Sequence, residues 1–257
     1  VTGHFIELTL LAGALSGCAA ATSTETWTYD HGAVIRADAG QSRIALIFTG
    51  GDHGQASNAI LDILDEQRVR ASFFLTGGYL ANPHQRALVV RMLADGHYVG
   101  PHSHAHPLYC SWDDRSTTLV SRAFFESDLR QNIGELQWLG ALAGGDPIYF
   151  IPPYEWFNRD QVRWADAMGV RLFNFTPGSG SNRDWIPETD PKFVSSEDIV
   201  SGVLDHERTA TGGLNGFLLL FHLGSTRHDL MDEELRELIT TLKDRGYSFV
   251  RVDELLR

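Results

Sequence analysis

Arg43-Ile44-Ala45-Leu46-Ile47-Phe48, then Ala56 to Gln67, then Ala71-Ser72-Phe73-Phe74-Leu75 are three consecutive stretches with different patterns. The first is an unbroken apolar run of strand length, lacking the alternation of a strand with one wet face. The second carries Ile60, Leu61, Ile63 and Leu64 at helical spacing. The third is another short apolar run. Buried strand, helix, buried strand predicts a βαβ unit with parallel strands.

The same alternation continues along the chain. Pro83 to Ala94 predicts a second helix, ended by Gly96, and Tyr98-Val99 a third strand. Ser121 to Ala143 predicts a long helix, with Phe124, Phe125, Leu129, Ile133, Leu136 and Leu139 on one stripe. Further strands are expected at Ile148-Tyr149-Phe150, Arg171 to Asn174, Phe217 to Phe221 and Tyr247 to Val250. Helices are expected at Asp160 to Met168, Glu197 to His206 and Met231 to Arg245. About seven strand–helix units without an intervening linker predict one α/β domain closed like a barrel, an open doubly wound sheet being the alternative.

Composition narrows the partners. A formal charge of −12 excludes a nucleic-acid backbone, which needs clustered Lys and Arg. The chain has no glycine-rich phosphate loop. Residues 1–25 read as a targeting segment and 26–257 as the folded domain. Phe5 to Leu15 has the length of a signal-peptide apolar core, too short to span a bilayer. Leu15-Ser16-Gly17-Cys18 then resembles the lipobox of bacterial lipoproteins, followed by a Thr/Ser/Ala-rich tether, Ala19 to Thr24. The expected location is a bacterial cell envelope, with a lipid anchor on Cys18 as the membrane contact. Acylation of Cys18 would leave Cys110, the other cysteine, without a disulfide partner.

The chemistry gathers where strands end. Gly100-Pro101-His102-Ser103-His104-Ala105-His106-Pro107 sets His102 and His106 four residues apart after the third strand. Two neutral imidazoles supply half of a tetrahedral zinc site. In a chain with eleven histidines that spacing alone is weak, and its weight comes from neighbouring clusters. Thr49-Gly50-Gly51-Asp52-His53 follows the first strand, Pro152-Pro153-Tyr154-Glu155-Trp156 the fourth, and Asn174 to Asp184-Trp185 the fifth. His222 ends the apolar run Leu218 to Phe221. In barrel folds such positions share one mouth.

These motifs resemble the polysaccharide deacetylase family, the NodB-homology or carbohydrate esterase family 4 enzymes, from about Ile44 to Leu256. His102-Ser103-His104-Ala105-His106 matches the family's His-Ser/Thr-x-x-His, and Leu220-Phe221-His222 its Leu-x-His. Pro153-Tyr154 matches the end of Arg-x-Pro-Tyr, with Ile151 in place of the arginine. The resemblance implies a deformed (β/α) barrel and metal-dependent removal of acetyl groups from a polysaccharide or oligosaccharide. It implies His102 and His106 as ligands of a divalent metal, zinc first, the backbone N–H of Tyr154 facing the oxyanion, and His222 as acid.

One motif departs. The family's Thr-Phe-Asp-Asp-Gly register is occupied by Ile47-Phe48-Thr49-Gly50-Gly51, so both carboxylates are absent there. Asp52 arrives two residues later as a candidate third ligand or base. Asp184 is placed to orient His222, as carboxylates do for catalytic imidazoles. Glu155 stands where the family has glycine, as a replacement base or a partner for sugar hydroxyls. Trp156 or Trp185 is expected to stack on a sugar ring, both being candidate substrate contacts together with Asn174. His104 is expected to be structural or exposed. Two other functions stay open: a glycoside hydrolase using Asp52 and Glu155 as paired carboxylates, and an inactive carbohydrate-binding lipoprotein.

Overall fold

Two antiparallel strands, β1 (Thr28–Asp30) and β2 (Ala33–Arg36), precede the expected elements. The computed structural model describes residues 27–142 and 145–257. The apolar segment, the lipobox with Cys18 and the tether lie outside the described residues; the helix expected to run to Ala143 instead ends at Trp138, where Gly140 turns the chain with φ 90°. Among the described residues no helix is long and apolar enough to cross a membrane.

From there strands and helices alternate as the patterns require. β3 (Arg43–Gly50) leads to α1 (Ser57–Glu66), and β4 (Ser72–Leu75) to α2 (Gly77–Ala81) and α3 (Pro83–Ala94). β5 (Tyr98–Pro101) precedes α4 (Arg122–Trp138), β6 (Ile148–Phe150) precedes α5 (Arg159–Ala167), and β7 (Val170–Leu172) precedes α6 (Ser196–Thr209). β8 (Phe217–His222), α7 (Asp232–Asp244), β9 (Ser248–Phe249) and α8 (Val252–Leu255) complete the chain. Helix starts follow side-chain caps: Asn82 for α3, Ser121 for α4 and Asn158 for α5 each accept from backbone N–H groups of the first turn.

The strands of the main sheet run in parallel in the order β5-β4-β3-β8, with β9 beside the start of β3. β6 and β7 form a separate parallel pair. Val34 bridges to Phe173, and the Thr176 N–H donates to the Leu218 carbonyl at 3.0 Å, tying β2 and β7 back toward β8. Between β5 and β6 the join is a side chain: the Tyr149 N–H donates to the Tyr98 hydroxyl at 2.9 Å. The result is a deformed barrel, with its ring completed by side chains and isolated bridges.

Strand alternation sorts the core into layers. Ala45 and Ile47 of β3 point inward with Phe74, Tyr149, Ile151, Phe173, Leu218 and Leu220. Ile44, Leu46 and Phe48 point outward with Phe73, Leu219 and Phe221, under the surrounding helices. Each such side chain buried from water stabilises the fold by roughly 1.5–3 kcal/mol before entropy is counted. Phe124 departs from the expected stripe: it is exposed while Phe125, Leu129 and Leu136 are buried. Adjacent helical residues stand about 100° apart, so Phe124 and Phe125 cannot share one face.

Candidate active site

The register brings polar residues to one rim. Thr49 of β3 pairs with His222 of β8, and Leu75 of β4 with Pro101, immediately before His102. The loops after β6 and β7 add Tyr154, Glu155 and Asp184.

The histidine segment is a strained loop fixed from outside. Ser103 has φ 71° and His106 φ 52°, left-handed values uncommon for residues with a Cβ. One buried carboxylate, Asp128 of α4, holds the loop. It accepts from the Ser103 hydroxyl at 2.6 Å, the His104 N–H at 3.0 Å and the Ala105 N–H at 2.8 Å. The Ser103 hydroxyl oxygen then accepts the His106 N–H at 3.1 Å, and Asn132 accepts the His102 N–H at 3.0 Å. Gly77 is required where the loop crosses α2, because a Cβ there would collide with the His104 ring and carbonyl. His104 itself turns away to Glu135 and Gln131, as expected of a structural residue.

His102 and His106 meet through their Nε2 atoms at 3.3 Å. The His102 Nδ1–H donates to the Ile151 carbonyl at 2.8 Å, leaving Nε2 as the bare nitrogen. A metal-binding imidazole is commonly braced this way through its other nitrogen. Burial, joined by the charges of His106 and His222, holds the His102 pKa well below the ordinary value. Burial and the His222 charge bring His106 down to about 4, with Asp52 and Asp128 opposing. Both rings are therefore neutral near pH 7, the state a metal requires. Glu155 brings Oε1 to 3.8 Å from His102 Nε2. Among the described residues no three His, Cys, Asp or Glu side chains converge on one ion position. The donor chemistry fits a metal at the two imidazoles; a third protein ligand is not in place.

His222 carries the opposite shift. The Asp184 carboxylate accepts from its ring Nδ1–H at 2.7 Å and from its backbone N–H at 2.7 Å. Burial alone would lower the pKa, but the Asp184 charge and hydrogen bond, with Glu155, outweigh it and raise it. Glu155 is pushed up to about 7 by burial, helped by Asp184 and opposed by His222. Tyr154 and Glu155 occupy successive left-handed positions, φ 59° and 51°. The Asn174 amide donates to the Glu155 carbonyl at 2.7 Å, so Asn174 braces the turn from behind.

Asp52 stands apart from this group. Its side chain is exposed and packs against Gly78 at the start of α2, so it reaches His106 only through its field. The register between β3 and its neighbours shows why. Thr49 faces inward beside His222, its buried hydroxyl without a partner among the described residues. Gly50 faces outward, where a Cβ would lie 2.8 Å from Tyr79, 2.9 Å from Leu223 and 3.0 Å from Leu75. Trp156 is half-buried beneath Trp112 at 5.1 Å, while Trp185 is exposed.

The sequence did not signal Asp128, Asn132 or Arg227. Arg227, with its side chain wholly buried, donates to the carbonyls of Arg183, Ile186, Val194 and Asp229 and to the Asp229 carboxylate. It ties the stretch around Asp184 to the far end of the same loop. A buried arginine in a polar loop has no periodic signature.

A family model described as polysaccharide deacetylase matches residues 36–173. The peptidoglycan-N-acetylmuramic acid deacetylase PdaC of Bacillus subtilis is 28% identical over 218 residues, covering 85% of this chain and 39% of that protein. The peptidoglycan-N-acetylglucosamine deacetylase PgdA of Listeria monocytogenes is 29% identical over 214 residues, 83% of this chain and 38% of that protein. The chain thus spans about two fifths of the length of these relatives. The structure of PdaA of Bacillus subtilis, a family 4 carbohydrate esterase, superposes with a TM-score of 0.67 at 23% identity, covering 87% of this chain and 84% of that one.

Proposed function

The chain belongs to the polysaccharide deacetylase family, and from that premise we propose that it hydrolyses acetyl groups from a chain of N-acetylated sugars. The carrying observation is the His222–Asp184 pair, in electrostatic reach of the neutral pair His102 and His106 with Glu155 among them. His222 keeps its proton to higher pH than free imidazole, which suits an acid that protonates a leaving amine. Glu155, near pKa 7, is the base, replacing the carboxylates absent at Thr49 and Gly50. Asp52 contributes negative field from the edge, in place of the ligand or base role expected of it. The Tyr154 N–H faces the oxyanion. His102 and His106 would hold a divalent metal, zinc suiting imidazole ligands. When bound, that metal lowers the pKa of water and polarises the acetyl carbonyl.

The names of PdaC and PgdA support peptidoglycan or a related glycan as substrate. They also support action in the cell envelope, where we place the chain, anchored through Cys18. A binding-only protein is the second reading, favoured by the loss of both carboxylates at Thr49 and Gly50. The paired-carboxylate hydrolase gains no support, since Asp52 is exposed against α2 while Glu155 is buried beside His102. Acetate release from N-acetylglucosamine oligomers and from peptidoglycan tests the choice, with and without added zinc. Release that zinc enhances and His222→Ala abolishes supports the deacetylase; no acetate from any of these substrates leaves the binding-only reading.

A further inference from the structure

Beyond the histidines the rim is lined with aromatic rings. The Tyr154 ring lies 4.5 Å from that of His106, and Trp112 is one more step out, 6.1 Å from Tyr154 and edge-on to it. Both are open to solvent, Trp112 57% and Tyr154 47% exposed. Exposing two large adjoining rings forgoes the stabilisation that burial would give, and such rings mark recognition surfaces.

The platform is also rigid. Trp112 stacks on Trp156 at an interplanar angle of 27°. The Trp156 indole N–H donates to the Ser111 carbonyl at 3.1 Å, and the Arg115 guanidinium lies 4.2 Å from its ring centroid. Arg115 is itself held by the Phe157 carbonyl at 2.5 Å and by Asp30 of β1 at 2.8 Å. The turn bearing Trp112 is tied by the Ser111 hydroxyl, which accepts from the Asp113 and Asp114 N–H groups. The Asp114 carboxylate accepts from the hydroxyls of Ser116 and Thr117. An aromatic face fixed before binding loses little entropy when a ligand settles on it.

We propose that Trp112 and Tyr154 form a subsite for the sugar next to the one being deacetylated, in a linear chain of N-acetylhexosamines. A pyranose presents a flat C–H face, which suits the bare indole, and a rim of hydroxyls, which suits Asp113 and the backbone of this turn. Continuity with His106 fixes the occupant as the same glycan chain that enters the site. The subsite rests on the deacetylase reading for its choice of sugar, but binding alone tests it.

Calorimetric titration of the full chain with N-acetylglucosamine oligomers of two to five sugars is the experiment. The expected result is an affinity that rises about tenfold with length, roughly 1.4 kcal/mol, and a Trp112→Ala variant that loses this rise. Trp112→Phe retains most of it, and Trp138→Ala, an exposed tryptophan on α4, retains all of it. A wild-type affinity that does not grow with length overturns the subsite, as does growth that persists in Trp112→Ala. Length-dependent binding that needs Trp112, without acetate release from any oligomer, upholds the subsite and removes the deacetylase reading.

Discussion

Two sides of the mouth have opposite chemistry. The rim after β5, β6 and β8 carries four titratable groups, His102, His106, Glu155 and His222, whose surroundings drive their proton affinities apart. The rim after β3 carries a threonine and two glycines, with its first carboxylate, Asp52, turned outward. Side-chain direction and packing account for the contrast. Thr49 faces the mouth but ionises nowhere near neutrality, while Gly50 faces a wall of Tyr79, Leu223 and Leu75. Where the family pattern has carboxylates on β3, this chain has Thr49 and Gly50, and the carboxyl whose pKa is raised, Glu155, stands across the barrel. Titration behaviour here follows from each group's surroundings: burial and its histidine neighbours hold the His102 pKa down against the Ile151 carbonyl, while the Asp184 carboxylate raises that of His222 against burial.

Breaking the rich side has the largest expected effect. His222→Ala should reduce acetate release about a thousandfold, as loss of a general acid does, while Asp184→Asn should approach that loss without unfolding the chain. Kinetics beside a thermal melt checks both. Rebuilding the poor side is next. Gly50→Asp should cost about 4 kcal/mol, from overpacking plus a carboxylate with no polar partner, whereas Thr49→Asp should fold normally. Urea unfolding distinguishes them, and equal stabilities would refute the directions assigned to β3.

Glu155→Gln should lower turnover about a hundredfold and Asp52→Asn less than threefold, reversing the order that sequence position suggests. Similar losses in the two variants would return the base to Asp52.

The smallest effect concerns the opposite end of β5. His97 accepts the Ala71 N–H at 3.0 Å on Nδ1, and burial lowers its pKa to about 4. A histidine depressed in the folded state binds its proton more readily when unfolded. The stability it confers is complete above the unfolded pKa of 6.5 and is lost as pH falls toward 4. His97→Gln keeps an acceptor for Ala71 and should shrink the acid-induced loss between those pH values by roughly 2 kcal/mol. Denaturation midpoints at several pH values measure it.

Most of the barrel was legible because each strand of it is an apolar run and each long helix has a stripe. The first hairpin was not. Thr28 and Tyr29 are exposed, and strands of three and four residues carry no pattern. α2 and α8 span five and four residues, too few for a helical period to show. In the site, His102, His106, His222 and Asp184 were legible because motifs at strand ends must share a rim. Trp112 was not, since nothing local distinguishes a tryptophan that stands over Trp156 from one that lies under it. Asp128 was equally silent: an acidic residue within a helix reads as solvated until the loop it serves is seen to fold over it.

The seam between β5 and β6, bridged by the Tyr98 hydroxyl, sets a tolerance in the machine. His102 and His106 belong to one lip of that seam, Tyr154 and Glu155 to the other, and the His102 ring spans it to the Ile151 carbonyl. A continuous ladder would lock the two lips in discrete steps of one residue. A side-chain bridge imposes no such step, so a substitution at residue 98 is expected to alter the gap between histidines and carboxylate without re-threading any strand.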